Sequence, residues 1–163
     1  MTAVSTETEN ASAVNISADT KKGIISGTAD INASPERIFR ALTTEEQAEW
    51  WGQSDLYKTH DYVIDLRPGG RWKCTATGKD GKQSTVGGEY ITVDPPRVLE
   101  YTWEPSWDNF TVSRVRIELE PRGNGTRVKL LHTGFEGREQ MAENHRDGWT
   151  RVFNWLSSYV SSK

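Results

Sequence analysis

The sequence predicts an α+β fold of two layers: one antiparallel sheet whose apolar face is covered by a long amphipathic helix. Two observations carry this. Six consecutive segments between Tyr62 and Thr133 read as strands joined by short turns, with a consistent inward set. The last segment, Gly137 to Val160, places Met141, Trp149, Val152, Phe153, Leu156 and Val160 at the three-and-four spacing of a helix, with Arg146, Asp147, Arg151 and Asn154 on the remaining arc.

Residues 1–22 are rich in Ser, Thr, Glu, Asn and Ala, a composition that buries too little surface to order itself, and are expected to form a disordered tail. Residues 23–163 are read as one domain. Ile24 to Ile31 is the first strand. Ser34 then caps a short helix over Pro35 to Leu42, with Pro35 at its first position, and a second short helix runs from Glu45 to Trp51. The meander follows. Tyr62 to Arg67 meets Pro68-Gly69-Gly70, suited to a type II turn. Arg71 to Thr77 turns Trp72, Cys74 and Ala76 to one side, and Lys79-Asp80-Gly81-Lys82 makes a hairpin turn. Thr85 to Val93, Val98 to Glu104, Val112 to Glu120 and Thr126 to Thr133 complete it, with Leu99, Tyr101, Trp103, Val115, Ile117, Leu119, Val128, Leu130 and His132 inward. The order is β-α-α-β6-α.

A net charge of -3 argues against sequence-independent nucleic-acid binding. The single cysteine, Cys74, allows no intramolecular disulfide. No signal peptide and no run of roughly 18 apolar residues is present, so no membrane span and a cytoplasmic location are expected. Seven Trp stand in a chain only 34% hydrophobic, so large rings either carry much of the burial or line something.

The element order, together with Trp50-Trp51-Gly52, Asp65 to Gly70, Asp80-Gly81, Gly88-Glu89-Tyr90, Asp94 to Trp103, Gly125 to Val128 and Gly148-Trp149, resembles a known family. It is similar to the bacterial homologues of the activator of the heat-shock-protein-90 ATPase, within the START-like (SRPBCC) superfamily. The resemblance covers about Ile24 to Val160 and implies a helix-grip fold: a curved seven-stranded antiparallel sheet around the C-terminal helix, with a cavity between them. Fold alone does not choose among the lipid carriers, cyclases, receptors and chaperone activators of that superfamily.

Trp72, Tyr90, Tyr101, Trp103 and, from the helix, Trp149 are the candidate ligand-binding set, with Trp51 and Trp107 at the rim and Met141 and His145 nearer the mouth. The competing reading is that these rings fill a solid core. His132, at the end of an inward register, reads either as a ligand contact or base or as a hydrogen-bonded structural group. His60-Asp61 falls in a loop. No catalytic residue, cofactor or metal site is specified; Glu143 and Asp147 cannot join His145 on one ion, because positions two apart on a helix face different ways.

The expected function is binding of a small apolar or amphipathic molecule, as a monomer or homodimer. The alternatives are a cyclase- or hydrolase-like enzyme using His132, Tyr90 or Tyr101, and a chaperone-interaction module using the outer-face cations Arg114, Arg116, Arg127 and Lys129.

Overall fold

The computed structural model describes residues 13–161. Nine strands form one sheet: β1 (Val14–Asp19), β2 (Ile24–Ile31), β3 (Gly52–Gln53), β4 (Tyr57–Ile64), β5 (Arg71–Gly78), β6 (Gln83–Asp94), β7 (Val98–Pro105), β8 (Ser113–Arg122) and β9 (Gly125–Thr133). Three α-helices interrupt or follow them: α1 (Pro35–Thr43), α2 (Gln47–Trp50) and α3 (Glu139–Ser161). The spatial order is β1-β2-β9-β8-β7-β6-β5-β4-β3, with every neighbouring pair antiparallel.

Local chemistry explains the elements. Ser34 Oγ accepts the Arg37 amide at the start of α1, and Pro35 occupies its first turn. Gly69, at φ +86°, holds the turn between β4 and β5, where the Gly70 amide donates to the Arg67 carbonyl at 2.8 Å. Pro68 precedes that left-handed position, the placement a type II turn favours.

The expected two-layer fold is present, with two additional strands. Residues 1–12 of the expected tail lie outside the described residues, but Val14–Asp19 is β1, not tail. It pairs with β2 from Val14 opposite Ala29 to Asp19 opposite Ile24. Its three half-buried side chains, Val14, Ile16 and Ala18, are few and separated by Asn15 and Ser17. They suffice because the β2 edge supplies a hydrogen-bonding ladder and α3 supplies cover, neither of which composition reports.

A second correction concerns β4, which begins at Tyr57 and includes His60 and Asp61. Its pairing with β5 shifts between His60 and Val63, and Asp61 takes φ +56°. Inward positions are Tyr57 and Thr59 before this bulge and Tyr62 and Ile64 after it, so parity flips from odd to even. A sequence pattern of period two cannot be followed through such a flip.

The core lies between the concave face and α3, whose buried side chains are Ala142, Trp149, Val152, Phe153, Leu156 and Val160. The helix backbone packs chiefly against β1, β2 and α1. It stands away from β4–β7, and the space left there becomes the site. Among the described residues no helix is long and apolar enough to cross a membrane.

Candidate functional site

A cavity of ≈ 490 Å³ occupies this space. Its walls come from α3 (Met141, His145, Gly148, Trp149, Val152), from Trp51 at the end of α2, and from β4–β7. The volume itself decides against the solid-core reading. The cavity opens to solvent past the exposed side chains of Asp80, Lys82, Asn144 and Arg151, so water or a guest fills it.

The rings that line it form a continuous series. Trp149 meets Trp51 at 5.8 Å and Trp103 at 6.4 Å between centroids. Trp51 stacks on Trp103 at 6.2 Å, and Trp103 contacts Trp72 at 5.9 Å and Trp107 at 6.3 Å. Trp72 then meets Tyr101 edge-on at 5.5 Å, and Tyr101 meets Tyr90 at 6.4 Å. Each such pair contributes about 0.5–1.5 kcal/mol beyond area burial. The aromatic set expected from sequence is thus brought together, and Trp51 stands within it instead of at a loop rim. Met141 and His145 also line the cavity.

His132 is the exception, because it is fully buried behind the cavity wall and is absent from the lining. Its hydrogen bonds fix its tautomer. The Trp149 indole N–H can only donate, and it does so to His132 Nδ1 at 2.9 Å. The neutral ring then carries its hydrogen on Nε2 and donates to Ser113 Oγ at 2.7 Å. With its lone pair occupied and no route to the cavity, His132 is no base for Ser113 or for a guest. Burial, and then the nearby His145, hold its pKa well below the usual histidine value.

His145 repeats the pattern nearer the opening: Trp103 Nε1 donates to its Nε2 at 3.2 Å, and its Nδ1 donates to the Met141 carbonyl at 2.9 Å. Burial lowers its pKa, opposed by the Met141 bond and by Asp108. Two indole–imidazole bonds therefore tie α3 to β7 and β9.

The thiol and the buried phenols of the wall are held in their neutral forms. Burial pushes the Cys74 thiol up to about 11 and raises the phenols of Tyr62, Tyr90 and Tyr101. A thiol so placed is a small hydrophobe, not a nucleophile. At the periphery the lining turns polar and exposed, with Asp80, Lys82 and Gln83 from the β5–β6 hairpin and Asn144 and Arg151 from α3.

The wall also includes Tyr57 and Tyr62, which sequence reasoning missed because both belong to the bulged β4. Gly148 lines the cavity as well, and nothing but Arg151 Nη2, at 4.0 Å, stands near the position of an added Cβ. Among the described residues no group of three or more His, Cys, Asp or Glu could hold a metal ion.

The four outer-face cations named from the sequence are each paired with a carboxylate. Arg114 and Arg116 pair with Glu100, and Arg116 also with Glu118. Arg127 is bidentate to Asp30, and Lys129 pairs with Glu120 at 2.8 Å.

The family model described as "Activator of Hsp90 ATPase homolog 1-like protein" matches residues 32–161. The chain belongs to this family. Solved structures agree on the fold of this Activator of Hsp90 ATPase homolog 1-like chain. Protein Ms6760 from Mycobacterium smegmatis is 21% identical, with a TM-score of 0.77 over 92% of this chain and 98% of its own. A protein from Arthrobacter aurescens is 18% identical, with a TM-score of 0.80 over 93% of this chain and 94% of its own. The AHSA1-like protein from Aeromonas hydrophila is 21% identical, with a TM-score of 0.70 over 85% of this chain and 92% of its own. No curated protein matches the sequence. At these identities the likeness carries the helix-grip fold and nothing finer.

Proposed function

We propose that this protein is a binding module that holds one small apolar or amphipathic molecule between the sheet and α3. The observation that supports this is the ≈ 490 Å³ aromatic-walled cavity, within the range of ligand sites and with polar groups gathered at its periphery. A guest would displace water from faces of Trp, Tyr and Met, the main source of affinity in such a site. Turnover is the weaker reading, since His132 is withdrawn from the cavity and the phenols and thiol of the wall stay protonated.

Native mass spectrometry after mild extraction, followed by titration with anilinonaphthalenesulfonate, tests this. The expected result is a saturable one-to-one complex, formed by the folded protein and weakened by Trp103→Ala. A folded protein that carries no guest and takes up no dye would overturn the reading.

The family's description supports a second reading, contact with an Hsp90-type chaperone. The pairing of the outer-face cations removes the basic stripe expected for that contact. A pull-down that recovers the chaperone would favour this second reading, and recovery undiminished by cavity substitutions would place the contact elsewhere on the surface.

A further inference from the structure

The polar groups of the cavity wall fall into two sets. Some are satisfied within the protein: Trp103 and Trp149 donate to the two histidines, and the Tyr62 hydroxyl donates to Thr59 Oγ1 at 3.0 Å. Others, at the β5–β7 end, are not. Among the described residues the hydroxyls of Tyr90 and Tyr101 have no hydrogen-bond partner, although the two residues are only 3% and 6% exposed. Neither hydroxyl is sealed, whereas the neighbouring Trp72 Nε1–H is both sealed and without an acceptor.

These three residues are adjacent. Tyr90 pairs directly with Tyr101 across β6 and β7, and Trp72 on β5 meets Tyr101 at 5.5 Å. Buried polar groups are ordinarily paired. Two hydroxyls that reach the cavity without a protein acceptor, beside a sealed indole N–H, point to an acceptor that arrives with the guest in place of water.

The chemistry of that partner follows from the donors. Trp72 can only donate, and burial keeps both phenols protonated, so all three have a hydrogen to offer. No charged group perturbs either phenol, and the cations that line the cavity, Lys82 and Arg151, are exposed residues at its periphery. An anionic oxygen here would be buried without a counter-charge, which is strongly unfavourable. A neutral oxygen would not.

Resting on the binding reading above, we propose that the β5–β7 end of the cavity is an oxygen-recognition site. Its guest is an apolar ring or chain that presents a neutral carbonyl-type oxygen to the hydroxyls of Tyr90 and Tyr101. A small tilt of the Trp72 indole adds a third donor.

The test uses the full chain and a matched pair of probes, fluorenone and fluorene, which share a skeleton and differ in one carbonyl. Calorimetric titration is expected to show fluorenone bound about tenfold or more tightly than fluorene. In the Tyr90→Phe/Tyr101→Phe double variant the ratio falls to about one, with fluorene affinity kept. Equal affinities in the unsubstituted protein, or a preference that survives in the double variant, overturn this proposal and leave the cavity reading standing. Binding of neither probe overturns both. The unliganded variants supply an independent check: loss of two unpartnered hydroxyls should leave the melting temperature unchanged or raised. A marked fall would show that the hydroxyls serve the fold and would overturn the proposal.

Discussion

Gly148 lies in the middle of α3, where glycine costs the helix about 1 kcal/mol relative to alanine. That cost is often explained by a neighbour too close for a side chain, and here there is none. A Cβ at position 148 would meet nothing nearer than Arg151 Nη2, the mobile end of a long side chain, at 4.0 Å. Gly148→Ala should therefore recover the helix propensity in full. For a chain of this size, about 1 kcal/mol raises the melting temperature by roughly 2–4 °C. Because the position lines the cavity, a larger residue should have a different effect. Gly148→Leu is expected to keep the fold while occupying guest space, and so to weaken anilinonaphthalenesulfonate binding about tenfold, near the scale of one buried side chain's transfer energy. Thermal denaturation of both variants, with dye titration on each, decides the matter. If the alanine variant melts lower, the glycine answers to packing; if the leucine variant binds dye unchanged, the cavity lies elsewhere.

Other outcomes follow from the histidines and from β1. Both His132 and His145 have lowered pKa values in the fold, so below about pH 6.5 the unfolded chain takes up protons that the folded chain refuses. Stability is then level above neutrality and falls as pH drops below about 6.5, by roughly 1.4 kcal/mol per pH unit for each histidine until it protonates in place. Asp108 moderates the fall at His145 and Arg138 steepens it; urea unfolding between pH 5 and 8 measures it, and a flat profile would contradict the indole-to-imidazole bonds. His132→Ala leaves the Trp149 N–H and Ser113 Oγ without their partner in a sealed site and should cost about 3–5 kcal/mol, read by urea midpoint, with turnover of any substrate irrelevant to the loss. Replacing Val14 and Ile16 by Asp should destabilise the protein by about 2–4 kcal/mol, since both side chains are packed against the core; no change would mean that β1 is dispensable.

Legibility in the sequence followed the regularity of the backbone. Strands β5, β7, β8 and β9 alternate without interruption on their inward faces, and parity alone places Trp72, Tyr101, Trp103, Val115 and Leu130 correctly. The register shift of β6 against β7 between Tyr90 and Thr92 lies beyond Tyr90 and did no harm. The shift in β4 lies in the middle of its strand and hid Tyr57 and Tyr62, two of the cavity's phenols. β1 was hidden differently: its evidence is three modest side chains whose value depends on partners distant in sequence. His132 was assigned to the correct face, but parity does not reveal whether an inward side chain borders empty space or is enclosed. That depended on Trp149, which arrives from α3 and caps the ring.

The uneven seating of α3 makes it mechanically two helices in one. Its C-terminal turns carry Phe153, Leu156 and Val160 into the core, and the Tyr159 hydroxyl donates to Glu46 Oε1 at 2.8 Å. Its N-terminal turns, from Met141 to Gly148, border the cavity and are held by the buried Ala142 and by His145, which accepts the Trp103 indole N–H. Backbone amides of the N-terminal turns should exchange with deuterated solvent well before those of the C-terminal turns, and a bound guest should narrow the difference. Such a wall can yield to guests of different girth without loosening the core, so the compliance of the receptor is set by where the helix is anchored.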